Sequence, residues 1–358
     1  MANSQEIKTI QHNYLSQDIQ SIETPLLQTE IEQKSSKHYY LANCFALSSA
    51  FGFAIHNYFV AYGIRMRNNS SSITYAEFLS LMAAPIYLQI FLGGRSLKNN
   101  GKLWIKEESQ LYDKKTLIFK QICLFCVIAR GFISVFMNTN VGLMAYYSIK
   151  ADVSPSVIIS ICSSSSFTVA IVFYFLYNEK LRIKHLIGMI LIVICVFLIA
   201  ISKSFTFSAP LIDDPLSTFV PILFALLQVT AMTISSVIIR KSQENGYDVI
   251  RFCIDQQIVT GGLFLLLFLH SHYTFLEYTW TQLWFMQIAA IAFTTSAIAL
   301  NYSIKYGIGG IAVALSQLQN VFQLILEMLI EGRIPNYFEI SAIICALTGS
   351  LIIALGKK

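Results

Sequence analysis

Tyr147-Ser148-Ile149-Lys150 returns later in the chain as Tyr302-Ser303-Ile304-Lys305. After each copy comes an apolar run of roughly 20 residues, the length a helix needs to cross a bilayer. A Glu follows near its end (Glu179, Glu331), and then another apolar run. Two similar membrane halves suggest a transporter built from internal repeats, with its substrate site between them.

Composition agrees with a membrane location. Of 358 residues, 55% are hydrophobic and 13% charged, about half the roughly 25% charge of a soluble domain. The net charge is +5. In a membrane protein such an excess sits in cytoplasmic loops, so it does not read as nucleic-acid affinity. The expected partners are the lipid bilayer and a small-molecule substrate, with a homodimer left open. The cysteines (Cys44, Cys123, Cys126, Cys162, Cys195, Cys253 and Cys345) lie in or beside apolar runs. They read as small apolar helix residues. Cys123-x-x-Cys126 has no second pair and no nearby His, so no metal, cofactor or structural disulfide is expected.

Residues 1–38 are polar and lack a signal-peptide core, and they read as a disordered cytosolic tail. Within the tail, Glu23-Thr24-Pro25-Leu26-Leu27 either is an acidic dileucine sorting signal or matches one by chance. Ten apolar runs follow, at 40–63, 75–94, 119–147, 154–177 and 184–202, then 216–239, 250–270, 281–304, 310–330 and 338–356. The third is long enough for a tilted helix or for a bend near Asn138 to Asn140. These runs predict an all-α integral membrane fold of ten transmembrane helices. One five-helix repeat spans 39–204, a loop spans 205–215, and the second repeat spans 216–358. Five is odd, so the second half enters from the opposite side and the repeats are inverted.

Orientation follows from the basic residues. With the N-terminus in the cytosol, Arg95, Lys98, Lys102, Arg240, Lys241 and most other Lys and Arg lie inside, against Arg65, Arg67, Lys150, Lys203 and Arg333 outside. The positive-inside rule therefore puts both termini in the cytosol. Two overlapping glycosylation sequons in Asn68-Asn69-Ser70-Ser71 then fall outside. Whether the membrane is the plasma membrane or an endomembrane stays open.

The chain resembles the drug/metabolite transporter superfamily in its ten-helix form with two EamA-like repeats. The resemblance rests on Ala145-Tyr146-Tyr147-Ser148, the run from Val157 to Tyr177, Asn178-Glu179-Lys180-Leu181 and Ile187-Gly188. The second half repeats the order with Ala299-Leu300-Asn301-Tyr302, Gly309-Gly310, Glu331 and Gly349. It departs from the pattern at Glu331-Gly332-Arg333-Ile334-Pro335. The resemblance covers about residues 40–356. It implies alternating access around a central cavity walled by the third, fourth, eighth and ninth helices. The implied cargo is a small metabolite such as a nucleotide sugar, a sugar phosphate, an amino acid or a nucleobase-like solute.

Residues present in only one half are the better specificity candidates, because a substrate is rarely symmetric. Arg130 lies about 12–16 Å inside the third helix, and aligning the two Tyr-Ser-Ile-Lys motifs sets Phe285 opposite it. A charge near the bilayer centre costs about 2.5–3.5 kcal/mol or more. Its guanidinium either holds an anionic group of the substrate or pairs with a buried Glu. On the ninth helix Ser316, Asn320, Gln323 and Glu327 share one face, flanked by Gln317 and Gln319. Lipid cannot satisfy such a stripe, so it walls a cavity or joins helices. Asn138 and Asn140 are further substrate-binding candidates, and Gln228, Gln287, Thr294 and Asn301 are lesser ones. Glu327 and His56, the latter beside Asn57, are candidates for proton or ion coupling. The serines of the fourth helix (Ser154, Ser156, Ser160, Ser163 to Ser166) read as close-packing residues. The reading is a secondary transporter for a small polar organic metabolite, with anionic solutes among the candidates, and not an enzyme. The alternative is a receptor or assembly subunit that keeps the fold without transporting.

Overall fold

The computed structural model describes residues 38–64, 66, 71–103, 105–106, 109–113, 116–150, 161–206, 215–274, 278–332, 334 and 336–355. The tail with its dileucine-like stretch, the Asn68-Asn69 sequons, Ser154, Ser156, Ser160, Asp213 and Asp214 lie outside the described residues, as do the side chains of Lys150 and Glu331. The described elements are helical, apart from a single bridge between Tyr112 and Phe119. The first half contains α1 (His38–Ile64), a 3-10 turn (Ser71–Glu77) leading into α2 (Phe78–Asn100), α3 (Gln121–Lys150), α4 (Ser165–Tyr177) and α5 (Ile183–Thr206). The second half contains α6 (Pro215–Glu244), α7 (Val249–Thr274), α8 (Trp280–Tyr306), α9 (Gly309–Ser316), α10 (Gln319–Glu331) and α11 (Tyr337–Leu355). Helices α9 and α10 form one span, so the ten apolar runs correspond to seven long membrane-crossing helices and three shorter apolar ones.

The third run is one continuous helix through Asn138 and Asn140. The ninth run, read from sequence as one helix, tightens at Gln317-Leu318, where Leu318 N–H reaches Leu315 O and Asn320 N–H reaches Gln317 O. These are i→i+3 bonds of the 3-10 type. The fourth run tightens in the same way at Ser163-Ser164, with Ser166 N–H on Ser163 O and Phe167 N–H on Ser164 O. Both breaks fall about the same distance beyond the two Tyr-Ser-Ile-Lys motifs.

The exterior is apolar, with Phe175, Tyr87 and Ile90 among its most exposed large side chains, while Arg130, Glu77, His56 and Gln256 are buried. In lipid the hydrophobic effect does not pull helices together, so close packing and interhelical hydrogen bonds must. Small residues supply the packing. A Cβ on Gly188 would come within 2.7 Å of Gly349 O, and one on Gly349 within 2.8 Å of Gly188 O. That contact lies in an extensive helix pair, α5 with α11. The other major pairs are α3 with α6, α2 with α7, α4 with α9 and α3 with α7, while α1 meets α8 where Gly52 faces Ser296. In order of spans, second meets seventh, fourth meets ninth, fifth meets tenth, third meets sixth and first meets eighth. Exchanging the two halves leaves these five pairs unchanged, and it carries the remaining major pair, third with seventh, onto the smaller contact of eighth with second.

Candidate functional site

Helix α3 stands against α6, α7 and the 3-10 turn. Gly131 allows the approach of α7, because a Cβ there would lie 2.6 Å from Val259 Cβ. Beside it, Arg130 is only 5% exposed. Its Nη1 donates to Ser134 Oγ, one turn along, at 2.6 Å. Among the described residues it has no carboxylate partner, and it forms no ion pair with Glu327. Its Nε meets no protein acceptor. Cys253 of α7 lies in its neighbourhood, and Cys253 Sγ accepts from Asn301 Nδ2 of α8 at 2.6 Å. Gln243 of α6 in turn donates to Asn301 O at 3.0 Å.

Arg130, Ser134 and Asn138 follow one another at intervals of four along α3, and Asn138 Nδ2 is buried without a protein partner. Asn140 faces elsewhere. Its Nδ2 donates to Phe224 O at 2.7 Å and to Gln228 Oε1 at 3.0 Å, which joins α3 to α6. On the ninth span, Ser316 Oγ donates back to Val313 O at 2.7 Å within its own helix. Asn320 Nδ2 is buried without a partner. Gln323 donates to Glu327 Oε1 at 3.2 Å, one turn on. The structure thus joins Gln323 to Glu327 and keeps Arg130 apart from both. Helix α3 shares no extensive contact with α9 or α10.

A second polar group lies around α1. His56 Nε2 sits 3.1 Å from Glu77 Oε1, with both side chains buried, and His56 Nδ1 is 3.2 Å from Asn57 Oδ1. Phe293 of α8 packs on the imidazole, its ring centroid 5.2 Å away. Asn57 Nδ2 reaches Gln319 Oε1 at 3.5 Å, Gln319 reaches Gln317 Oε1 at 3.4 Å, and Gln317 reaches Ser165 Oγ at 3.2 Å. The chain of contacts therefore runs from the 3-10 turn through α1 to both helix breaks. Glu77 is not among the residues the sequence singled out. Its signal was a lone carboxylate near the start of the second apolar run.

The end of the bundle carrying the α2–α3 and α6–α7 connections is charged. Glu179 accepts from Gly309 N–H at 2.8 Å and pairs with Arg240 at 3.2 Å. A carboxylate at a helix start is favoured by the exposed N–H groups there, so Glu179 fixes the start of α9. Arg240 Nη1 also donates to Ile304 O at 2.7 Å, tying down the end of α8. Gly309 and Gly310 let α9 lie on α4, since side chains there would meet Phe173 and Ala170. A cavity of about 450 Å³ opens at this end, lined by Gln110, Gln243, Gly246, Tyr247, Asp248, Arg251 and Lys305. A second cavity, of about 390 Å³, lies between α2, α3 and α7 and shares Gln110, Tyr247 and Arg251 with the first. Burial and the neighbouring Asp255 carboxylate push the Tyr247 phenol well above its usual range. It stays protonated and donates to Asp255 Oδ2 at 2.7 Å. Among the described residues no group of three His, Cys, Asp or Glu is placed to hold a metal ion.

Residues 219–355 match the family model of the EamA-like transporter family. The match agrees with the resemblance to the drug/metabolite transporter superfamily, whose members are multi-pass membrane transporters and not enzymes. No curated protein matches the chain in sequence. Among solved structures, 28 chains match. One, described only as the crystal structure of a protein, superposes with a TM-score of 0.61 at 14% identity. It covers 88% of this chain and 98% of its own, and at that identity the likeness concerns the fold alone.

Proposed function

We propose that the protein is a secondary transporter that moves a small polar solute bearing an anionic group. It works by alternating access between two five-helix halves arranged as inverted repeats, with both termini in the cytosol. One observation carries the reading. Among the described residues, the buried Arg130 has no carboxylate partner, and its Nε has no protein acceptor. Such a charge costs about 2.5–3.5 kcal/mol or more, which a purely structural residue does not recover. Among the described residues, the other substrate-binding candidates with an unmatched buried atom are Asn138 and Asn320, each through the donor Nδ2, and Asn140, through the acceptor Oδ1. Donors on both spans suit an oxygen-rich solute such as a phosphate or carboxylate ester, and a planar guanidinium suits its anionic end.

The cavity at the Arg251–Lys305 end supplies a cytosolic vestibule. Its wall residue Gln243 is linked through Asn301 and Cys253 to the neighbourhood of Arg130. Glu179, Gly309 and Arg240 then act as the fixed frame around which the spans move, not as substrate contacts. A thermal-shift screen of the purified protein against sugar phosphates, nucleotide sugars, nucleobases and amino acids tests this reading. A ligand stabilises the state that binds it, by about 2.7 kcal/mol at a hundredfold excess over Kd. Stabilisation by anionic members of the panel, and its loss in Arg130→Gln, is the expected result. A panel in which no class stabilises the wild type would instead favour a non-transporting membrane subunit.

A further inference from the structure

We propose that His56 and Glu77 form a proton-binding site that couples movement of the helices to a pH gradient. The proposal rests on the transport reading for its purpose but not for its chemistry. Glu77 belongs to the 3-10 turn before α2 and is 0% exposed, and His56 belongs to α1 and is 3% exposed. Their contact is a buried acid–base pair between two elements, at 3.1 Å. When the imidazole holds a proton, imidazolium and carboxylate cancel. When the proton leaves to water, the imidazole is neutral and the carboxylate stays behind as an uncompensated buried charge. Glu77 Oε2 already has no hydrogen-bond partner, so the carboxylate has little else to sustain it. A lone buried carboxylate is strongly unfavourable, and the pair relieves it by opening to water or by taking the proton back.

The two protonation states therefore favour different arrangements of the 3-10 turn against α1, which is what a ligand-driven conformational step requires. The elements around the pair carry further titratable and charged groups, among them Tyr58 and Tyr62 on α1, Tyr75 on the turn, Arg130, Tyr146 and Tyr147 on α3, Arg251, Asp255, His270 and His272 on α7, Tyr302 and Lys305 on α8, and Glu327 on α10. The stretch of α8 that covers the imidazole presents Phe293. Glu77 is the carboxylate that meets His56.

The pair is not isolated from the rest of the bundle. Asn57 bonds the second imidazole nitrogen and also reaches Gln319, next to the break between α9 and α10, and Gln317 carries the contact on to Ser165 at the break in α4. A shift of α1 relative to the turn would reach both tightened segments. Short 3-10 stretches within helices are common hinge points. One buried proton site is thereby linked to the two places where the repeated spans are least regular.

Hydrogen exchange of the full chain in lipid nanodiscs tests the proposal without knowing the transported solute. Exchange is measured at about pH 5 and about pH 8, the window in which histidine changes charge, and corrected for the intrinsic pH dependence of exchange. In the wild type, exchange of Ser71–Glu77 and of the segment around Gln317–Asn320 should rise about tenfold or more at the higher pH. In His56→Gln both segments should lose this response. In Asn57→Ala, which leaves the pair intact, the turn should still respond while the Gln317–Asn320 segment does not. A wild-type turn that exchanges alike at both pH values overturns the proposal, as does a response that persists in His56→Gln. The outcomes separate from those of the solute screen. Anion binding without a pH response sinks the proton site alone, and a pH response without solute binding sinks the transport reading alone.

Discussion

Arg130 and the His56–Glu77 pair are buried to a similar degree, none of the three more than 5% exposed, yet they are satisfied in opposite ways. His56 and Glu77 carry their own countercharge across a 3.1 Å contact. Arg130 has a serine hydroxyl and an unmatched Nε. A site that supplies its own counterion is closed to other ions and responds to protons. A site that lacks one draws an anion from outside the protein. On the proposed reading, the same interior holds a charge that titrates against its neighbour and a charge that binds cargo.

Substitutions can break or sharpen that contrast. The largest effect is expected from His56→Leu, which strands Glu77 as a buried carboxylate. Losing one partner of a buried pair costs about 3–5 kcal/mol, read as a lowered unfolding midpoint in detergent, whereas Glu77→Gln keeps an acceptor for the imidazole and should cost far less. Equal losses for the two would show that the pair is not ionic. Next comes Gly310→Val, which forces α9 off Ala170 of α4. Overpacking of this kind costs about 1–3 kcal/mol, and it should slow transport of every solute without changing selectivity. Arg130→Met should leave stability unchanged or raise it by about 1 kcal/mol or more, because replacing a poorly compensated buried charge removes its desolvation cost. A strongly destabilised Arg130→Met would mean that the guanidinium is structural after all. The smallest effect is expected for Glu179→Gln, whose partly exposed contact with Arg240 is worth less than about 1 kcal/mol in a thermal melt.

Much of this architecture was legible in the chain. The ten runs fold as apolar helices, seven of them long enough to cross a membrane, because lipid admits only helices whose backbone is satisfied internally, and hydropathy reports that directly. Arg130 stood out because a charge in the middle of an apolar run has no cheap explanation. The breaks at Ser163-Ser164 and Gln317-Leu318 did not stand out, since neither contains the Gly or Pro that usually announces one. Their helical backbone is only tightened, with ψ near −16° at Ser164 and −11° at Gln317. Glu77 was missed because a carboxylate near the start of a run reads as an interface residue. Only the fold shows that the 3-10 turn carries it inward onto His56. Asn140 and Asn138 look equivalent in sequence. Two residues of helix turn the amide nitrogen of the first toward Phe224 and Gln228 on α6 and leave the Nδ2 of the second without a partner among the described residues.

Uptake into proteoliposomes tests the central claim, that Arg130 selects an anionic solute, most directly. Wild type and Arg130→Gln are compared on labelled sugar phosphates and nucleotide sugars, with neutral sugars and nucleobases alongside. A hydrogen bond to a charged group contributes about 1.5–3 kcal/mol, so the variant should lose roughly tenfold to a hundredfold in uptake of the anionic solutes at low concentration and keep whatever neutral uptake the wild type shows. Anionic uptake of equal rate and affinity in the two proteins would contradict the account.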